Sequence, residues 1–258
     1  MFNENQFSLF NFTDPDMGKF DFTRCHVKSI NHQTASRIVD TYHYAHRTPS
    51  IVVAFGLYVD DTLAGVITYG IPANKNTLSC CGEQYNENGL ELNRLFVFDW
   101  CGRNTESWFI GQTFKLLEKD FKQYFILVSY ADAGHEHTGY IYQATNWIYT
   151  GVSKGDTEWI IDGERYHRKN VYNEFGTSSV QGVKDMGKNV EIIRQGDKFR
   201  YVFFLGSKSQ KKKLLQSLRW QVLSYPKGRN LTPREPDSLK AAVELPAIVN
   251  SSQGNSPA

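Results

Sequence analysis

The sequence predicts an α/β fold, a mixed central sheet flanked by helices, followed by a basic α+β extension. Three observations carry this. Helical and β-branched segments alternate from residue 25 to residue 162, the order expected for helices packed on one sheet. Tyr124–Tyr130 (YFILVSY) is almost continuously apolar, as strands buried on both faces are. Ile110, Phe114, Leu117 and Phe121 form an i, i+4, i+7, i+11 ladder, the stripe of a helix lying on a core.

The elements follow in chain order. Residues 1–21, rich in Phe, Asn and Asp, form an N-terminal arm without periodicity. A short strand is expected at Cys25–Ile30. A helix follows over Asn31–His46, with Ala35, Ile38, Val39 and Tyr42 on one face, and Pro49 prevents its continuation. Ile51–Val59 and Thr62–Gly70, separated by Asp60-Asp61, read as a hairpin. Gly89–Trp100 holds another strand, Leu92–Phe98. Asn104 is placed to cap a helix running to about Lys122, because its side chain can accept from the first-turn amides. After Tyr124–Tyr130, Thr138–Trp147 reads as a short helix capped by Thr138. Ile148–Gly151 and Trp159–Asp162 are further strands around a Gly155-Asp156 turn. An α/β domain, the candidate catalytic one, is thus expected over 22–162.

A basic extension is expected over 163–229. It holds a short helix in Thr177–Met186, a hairpin of Val190–Arg194 and Lys198–Leu205 around Gly196-Asp197, and a basic helix at Lys208–Trp220. The Pro-, Ser- and Asn-rich residues 230–258 are expected to be disordered.

The 40% hydrophobic and 22% charged residues fit an ordinary soluble protein. No apolar run approaches the roughly 20 residues a membrane span needs, and the N-terminus lacks a secretory pattern. Cys25, Cys80, Cys81 and Cys101 lack Cys-x-x-Cys spacing and suit free thiols in a cytoplasm. The net charge of +2 hides an asymmetry: residues 1–161 hold 12 basic and 18 acidic side chains, and residues 162–220 hold 13 and 6. A basic part beside an acidic body suits a polyanion such as nucleic acid, although a solvated face would look the same.

Candidate chemistry gathers at the carboxyl ends of the strands, where open sheets bind ligands. Arg94 lies in a strand, Asp132 just beyond one, Tyr142 in the short helix, and His43 and Tyr44 near the end of the first helix. The Asn104–Ser107 turn opens a helix whose amides can hold an anion. His135, Glu136 and His137 offer metal-binding groups without a recognised spacing. Each residue taken singly also has a structural explanation.

Together these segments resemble the Mom family of phage adenine-modification proteins. The resemblance rests on Tyr42-His43-Tyr44, ELNRLFV (Glu91–Val97), Asn104-x-x-Ser107, the idiosyncratic run Leu127–Gly151, RYHRKNVYNEFGTSSV (Arg165–Val180) and the RYVFFL…LLQSLRW…YPKG end. It spans roughly residues 22–229. It implies a GNAT-like fold and conversion of adenine in DNA to an N6-carbamoylmethyl form, which masks phage DNA from host restriction. It further implies activity residues at His43, Tyr44, Arg94, Ser107, Asp132 and Tyr142, an association with iron, and action in the host cytoplasm.

The turn Gly102-Arg-Asn-Thr-Glu-Ser-Trp departs from the glycine-rich pyrophosphate turn of ordinary GNAT enzymes, which leaves the donor open between an acyl-CoA and another anionic molecule. Under this resemblance Asp132 or His43 would take the adenine N6 proton. Tyr44 and Tyr142 would steady developing charge. Arg94, Asn104 and Ser107 would hold the donor. Arg165, Arg168, Lys169, Lys211, Lys212 and Lys213 would grip double-stranded DNA. A small-amine or protein N-acetyltransferase and a non-enzymatic DNA-binding protein stand as alternatives. Oligomeric state, a homodimer included, stays open.

Overall fold

The computed structural model describes residues 20–44, 46–132, 138–155, 157–194 and 196–226. Expectations for residues 1–19, for His135–His137 and for the tail from 230 lie outside the described residues, as do the side chains of Arg168 and Lys169.

Seven strands form the main sheet: β1 (Cys25–Ser29), β2 (Val53–Val59), β3 (Thr62–Gly70), β4 (Gly89–Val97), β5 (Ile126–Asp132), β10 (Lys198–Phe204) and β6 (Ile148–Ser153), side by side in that order. All neighbours are antiparallel except β4 and β5. A smaller sheet orders β8 (Glu164–His167), β7 (Thr157–Ile161) and β9 (Val190–Arg194).

Helix α1 (His32–Tyr42) starts at Asn31, whose side chain accepts from the Thr34 amide, and places Ala35 and Ile38 against Ala54 and Val66. It ends four residues earlier than expected, because His43 turns to extended backbone at ψ 136°. Helix α2 (Thr105–Asp120) packs Phe109, Ile110 and Leu117 on the opposite face, where Leu127, Ala131 and Tyr201 point. The short α3 (Tyr140–Ala144) shares that face and buries Tyr142. Alternation along β5 sends Ile126 and Val128 the other way, towards Cys80, Cys81 and Leu214 of α6 (Lys208–Ser217). Helices α1 and α6 therefore share one face, and α2 and α3 the other. Two more helices, α4 (Arg168–Phe175) and α5 (Val180–Asp185), cover the small sheet through Val171 and Val183 against Trp159 and Ile161.

Several local expectations change. Asn104 stands at the α2 N-cap position but in the left-handed region (φ 65°), and its side chain makes no capping bond. The hydroxyls of Thr105 and Ser107 instead donate to the carbonyls of Gly102 (2.6 Å) and Asn104 (3.0 Å). Thr138 is displaced as a cap by Gly139, whose φ of 76° suits a residue without Cβ. β6 and β7 belong to different sheets.

The expected 190–205 hairpin does not form. β9 pairs with β7, and β10 inserts between β5 and β6. The physical reason is burial: Tyr201, Val202 and Phe204 point to both faces and are all buried, which suits a central strand. A partition at residue 163 therefore does not follow the sheets, since β7 joins the small sheet and β10 returns to the large one. Helix α4 was not expected, because Arg168 to Phe175 carries few apolar positions to betray its period.

Candidate active site

β4 and β5 pair over only four rungs, from Gly89 opposite Ile126 to Leu92 opposite Ser129. Beyond these, β4 follows β3 and β5 follows β10, so the sheet opens at the carboxyl ends of its two parallel strands. A bulge helps part them. Tyr69 faces Leu92 and Thr68 faces Arg94, leaving Asn93 as the extra residue. Bulges bend a strand and re-aim its side chains, often beside active sites. Thr68 Oγ1 donates to Asn93 Oδ1 (2.6 Å), and Asn93 Nδ2 donates to the Ser50 carbonyl (2.8 Å), which fixes the bend.

Arg94 follows the bulge. Its Nε and Nη2 donate to the Arg47 carbonyl (3.3 and 3.2 Å), and its Nη1 to the Asn93 carbonyl (2.7 Å). Among the described residues, these bonds leave two guanidinium N–H groups for other acceptors. At the floor of the opening, Ser129 Oγ lies 2.8 Å from the Leu92 carbonyl and 2.7 Å from the Tyr142 hydroxyl. Burial pushes the Tyr142 phenol up to about 12, against the opposing effect of its hydrogen bond with Ser129. Tyr142 thus remains a protonated donor at neutral pH.

Glu91 is the site residue that single-residue reasoning passed over. It sits on β4 between buried Leu90 and Leu92. Burial pushes its carboxyl up to about 7, while Lys198 and Arg94 pull the other way. A carboxyl that titrates near neutrality is suited to proton transfer. The available signal was an acidic residue set between two apolar ones, Leu90 and Leu92, in a strand.

His43 is 6% exposed. Burial, then Arg94 and His46, lower its imidazole to about 4, so it is neutral at pH 7. Tyr44 is 74% exposed, and its ring lies 4.3 Å from the His43 ring. Glu91 and Tyr44 both act electrostatically on Arg94 and on Tyr142. Arg94 is thus within electrostatic reach of His43, Tyr44 and Glu91, and Tyr142 within reach of Glu91 and Tyr44. Asp132 ends β5 opposite Lys198, the same lysine that acts on Glu91.

Asn104 and Ser107 lie at the start of α2, on the other face of the sheet from α1. A groove of about 490 Å³ runs from Ser107 and Trp108 along Gly111, Gln112 and Lys115, closed by Asn146 and Phe203. Arg165 is exposed and ion-paired with Glu158 at 3.4 Å. Lys211 lies 3.7 Å from Glu118, and Lys212 and Lys213 are exposed on α6. Among the described residues no group of three or more His, Cys, Asp or Glu is placed to hold a metal ion. No helix among them is long and apolar enough to cross a membrane.

An open mixed α/β sheet with a polar cleft between two parting parallel strands is the class that this fold and site define. Solved structures similar to the chain include a spermidine N-acetyltransferase from Vibrio cholerae (9% identity, 70% of this chain and 94% of that one, TM-score 0.43). A GNAT family acetyltransferase from Elizabethkingia anophelis is also similar (11% identity, 70% and 99%, TM-score 0.37). The Mom protein family pattern matches residues 24–227, and the chain belongs to that family. The methylcarbamoylase mom of Escherichia phage Mu is 28% identical over 204 residues, covering 78% of this chain and 83% of the relative.

Proposed function

We propose that the chain is a DNA-modifying methylcarbamoylase that places a carbamoylmethyl group on adenine N6, shielding phage DNA from restriction. Beside the family membership, what carries this reading is the place of Glu91, a half-buried carboxyl on β4 in the last rungs before β4 and β5 part, where desolvation raises its pKa.

The chemistry follows from the acceptor. The adenine N6 lone pair is delocalised into the ring, so a base must take the N6 proton as the new bond forms. In this reading Glu91 takes that proton while N6 bonds to the donor carbon, and the leaving group departs with its electron pair. Neutral His43 is a weak base near pH 7 and lends support from beneath. Asp132, at the end of β5, orients the amino group. Tyr142, protonated and backed by Ser129, donates to the charge that develops, as do the remaining N–H groups of Arg94.

The donor is an anionic molecule, a CoA derivative or another, that carries the carbamoylmethyl group with its CH2 carbon bonded to the leaving group, held by the start of α2 at Asn104 and Ser107 and by the Lys115 groove. The residues present fit such a group, because the groove joins a helix N-terminus to a lysine.

Double-stranded DNA is the proposed substrate. Within the basic part, residues 162–194 hold 6 basic and 5 acidic side chains, and residues 195–220 hold 7 and 1. The cationic excess thus belongs to β10 and α6. Lys211, Lys212 and Lys213 of α6 supply the main grip on phosphates, and Arg165, Arg168 and Lys169 are the further cations assigned to it.

Expression in a bacterium followed by mass analysis of DNA nucleosides tests the reading. A deoxyadenosine carrying the added group supports it. Unmodified DNA beside soluble, folded protein contradicts it.

A further inference from the structure

The end of α1 presents an exposed aromatic ring against a buried imidazole. His43 leaves the helix with extended backbone, and the His46 amide donates to the His43 carbonyl at 2.8 Å, closing a tight turn with Tyr44 on it. The imidazole of His43 is buried, and the Tyr44 ring lies against it, centroids 4.3 Å apart and planes tilted by 30°. The phenol ring is thus backed on one side and 74% exposed. Three residues on, the Arg47 carbonyl accepts from Nε and Nη2 of Arg94, which holds this turn beside the residue that follows the bulge, and Tyr44 is within electrostatic reach of Arg94 and Tyr142.

A base inside a duplex hides its N6 from any side chain, so it must leave the stack to react. Extrusion forfeits stacking, which an aromatic face in the site can restore, and every base has a π-face to offer. We propose that Tyr44, backed by His43, is the shelf on which the extruded adenine stacks while its N6 faces Glu91. This rests on the reading that the chain modifies DNA adenine. It assigns to Tyr44 the face of its ring, with the hydroxyl dispensable.

The test compares Tyr44→Phe with Tyr44→Ala, using the full chain. Modified adenine in cellular DNA is measured alongside fluorescence of a duplex with 2-aminopurine replacing an adenine that the wild type modifies. The fluorophore brightens when it leaves the stack. The shelf predicts that Tyr44→Ala loses roughly tenfold or more in modification together with the fluorescence rise, and that Tyr44→Phe restores most of both. Equal losses in the two variants would assign the role to the hydroxyl and overturn the shelf, as would full activity in Tyr44→Ala. A thermal melt of each variant identifies any loss due to misfolding, and Tyr44→Trp, which keeps a π-face, then repeats the comparison. If the wild type modifies no adenine in any duplex or cell, it is the proposed function that fails.

Discussion

The Tyr142 hydroxyl lies 2.7 Å from Ser129 Oγ, which itself lies 2.8 Å from the Leu92 carbonyl, and Leu92 with Ser129 is the last rung joining β4 to β5. One hydroxyl thus ties the end of the parallel ladder to the helix that supplies a site residue. Ser129 has a single proton. When it donates to Leu92, Tyr142 donates to Ser129; under the proposed function the phenol turns from Ser129 to the substrate.

Ser129→Ala should therefore leave the buried Tyr142 hydroxyl without its partner. The expected cost is about 1–3 kcal/mol, read as a fall in Tm, with modification reduced but detectable. Tyr142→Phe should cost less stability, because Ser129 keeps Leu92, yet lose more activity. A melt and a nucleoside count on the two variants check this crossing of effects. Parallel losses in both would mean that Tyr142 serves packing alone.

Glu91 should set the pH dependence. Its folded carboxyl titrates near 7 against about 4.3 in an unfolded chain. The active carboxylate then appears as pH rises through 7, and modification of added DNA in an extract that supplies the donor should rise with it. The sign for stability is opposite. A raised carboxyl favours the folded state below about 4.3, and that contribution is lost as pH rises to 7. Glu91→Gln should flatten both profiles, lowering activity about 10²–10⁴-fold while raising Tm at pH 8.

His43 makes the complementary prediction. Its folded value near 4 lies below the unfolded value of about 6.5. The stability this contributes is complete above about 6.5 and is lost as pH falls through 4. Denaturant titrations across that window should show a slope that His43→Gln reduces. An unchanged slope would remove His43 as its cause.

The charge distribution predicts where salt acts. Changing Lys212 and Lys213 to Gln should lower the slope of log K against log salt for duplex binding by up to about 2. Arg165→Gln, which removes a cation already paired with Glu158, should change it less. Equal effects would move the DNA path onto the small sheet.

Much of this architecture was legible in residue order. The β2–β3 hairpin, α2 with its Ile110–Leu117 stripe, and the buried β5 follow from period and apolar runs. Pairing between distant strands was not legible, because local pattern is silent on partners. Lys198–Phe204 looks as fit to pair with Val190–Arg194 as to enter the main sheet. Asn93 and Gly139 show the same limit at smaller scale, since a bulge and a left-handed start depend on register and packing. At the site, Arg94, Tyr142, His43 and Tyr44 were legible through motif resemblance. Glu91 and Ser129 gain their meaning only from the place where β4 and β5 separate.

The central claim is that Glu91, in that opening, removes the proton from adenine N6. Its most direct test is the amount of modified deoxyadenosine in DNA from cells expressing the wild type or Glu91→Gln, with equal soluble protein and matched melts. The account predicts abundant modified nucleoside for the wild type and little or none for the variant. Equal amounts in both would contradict it.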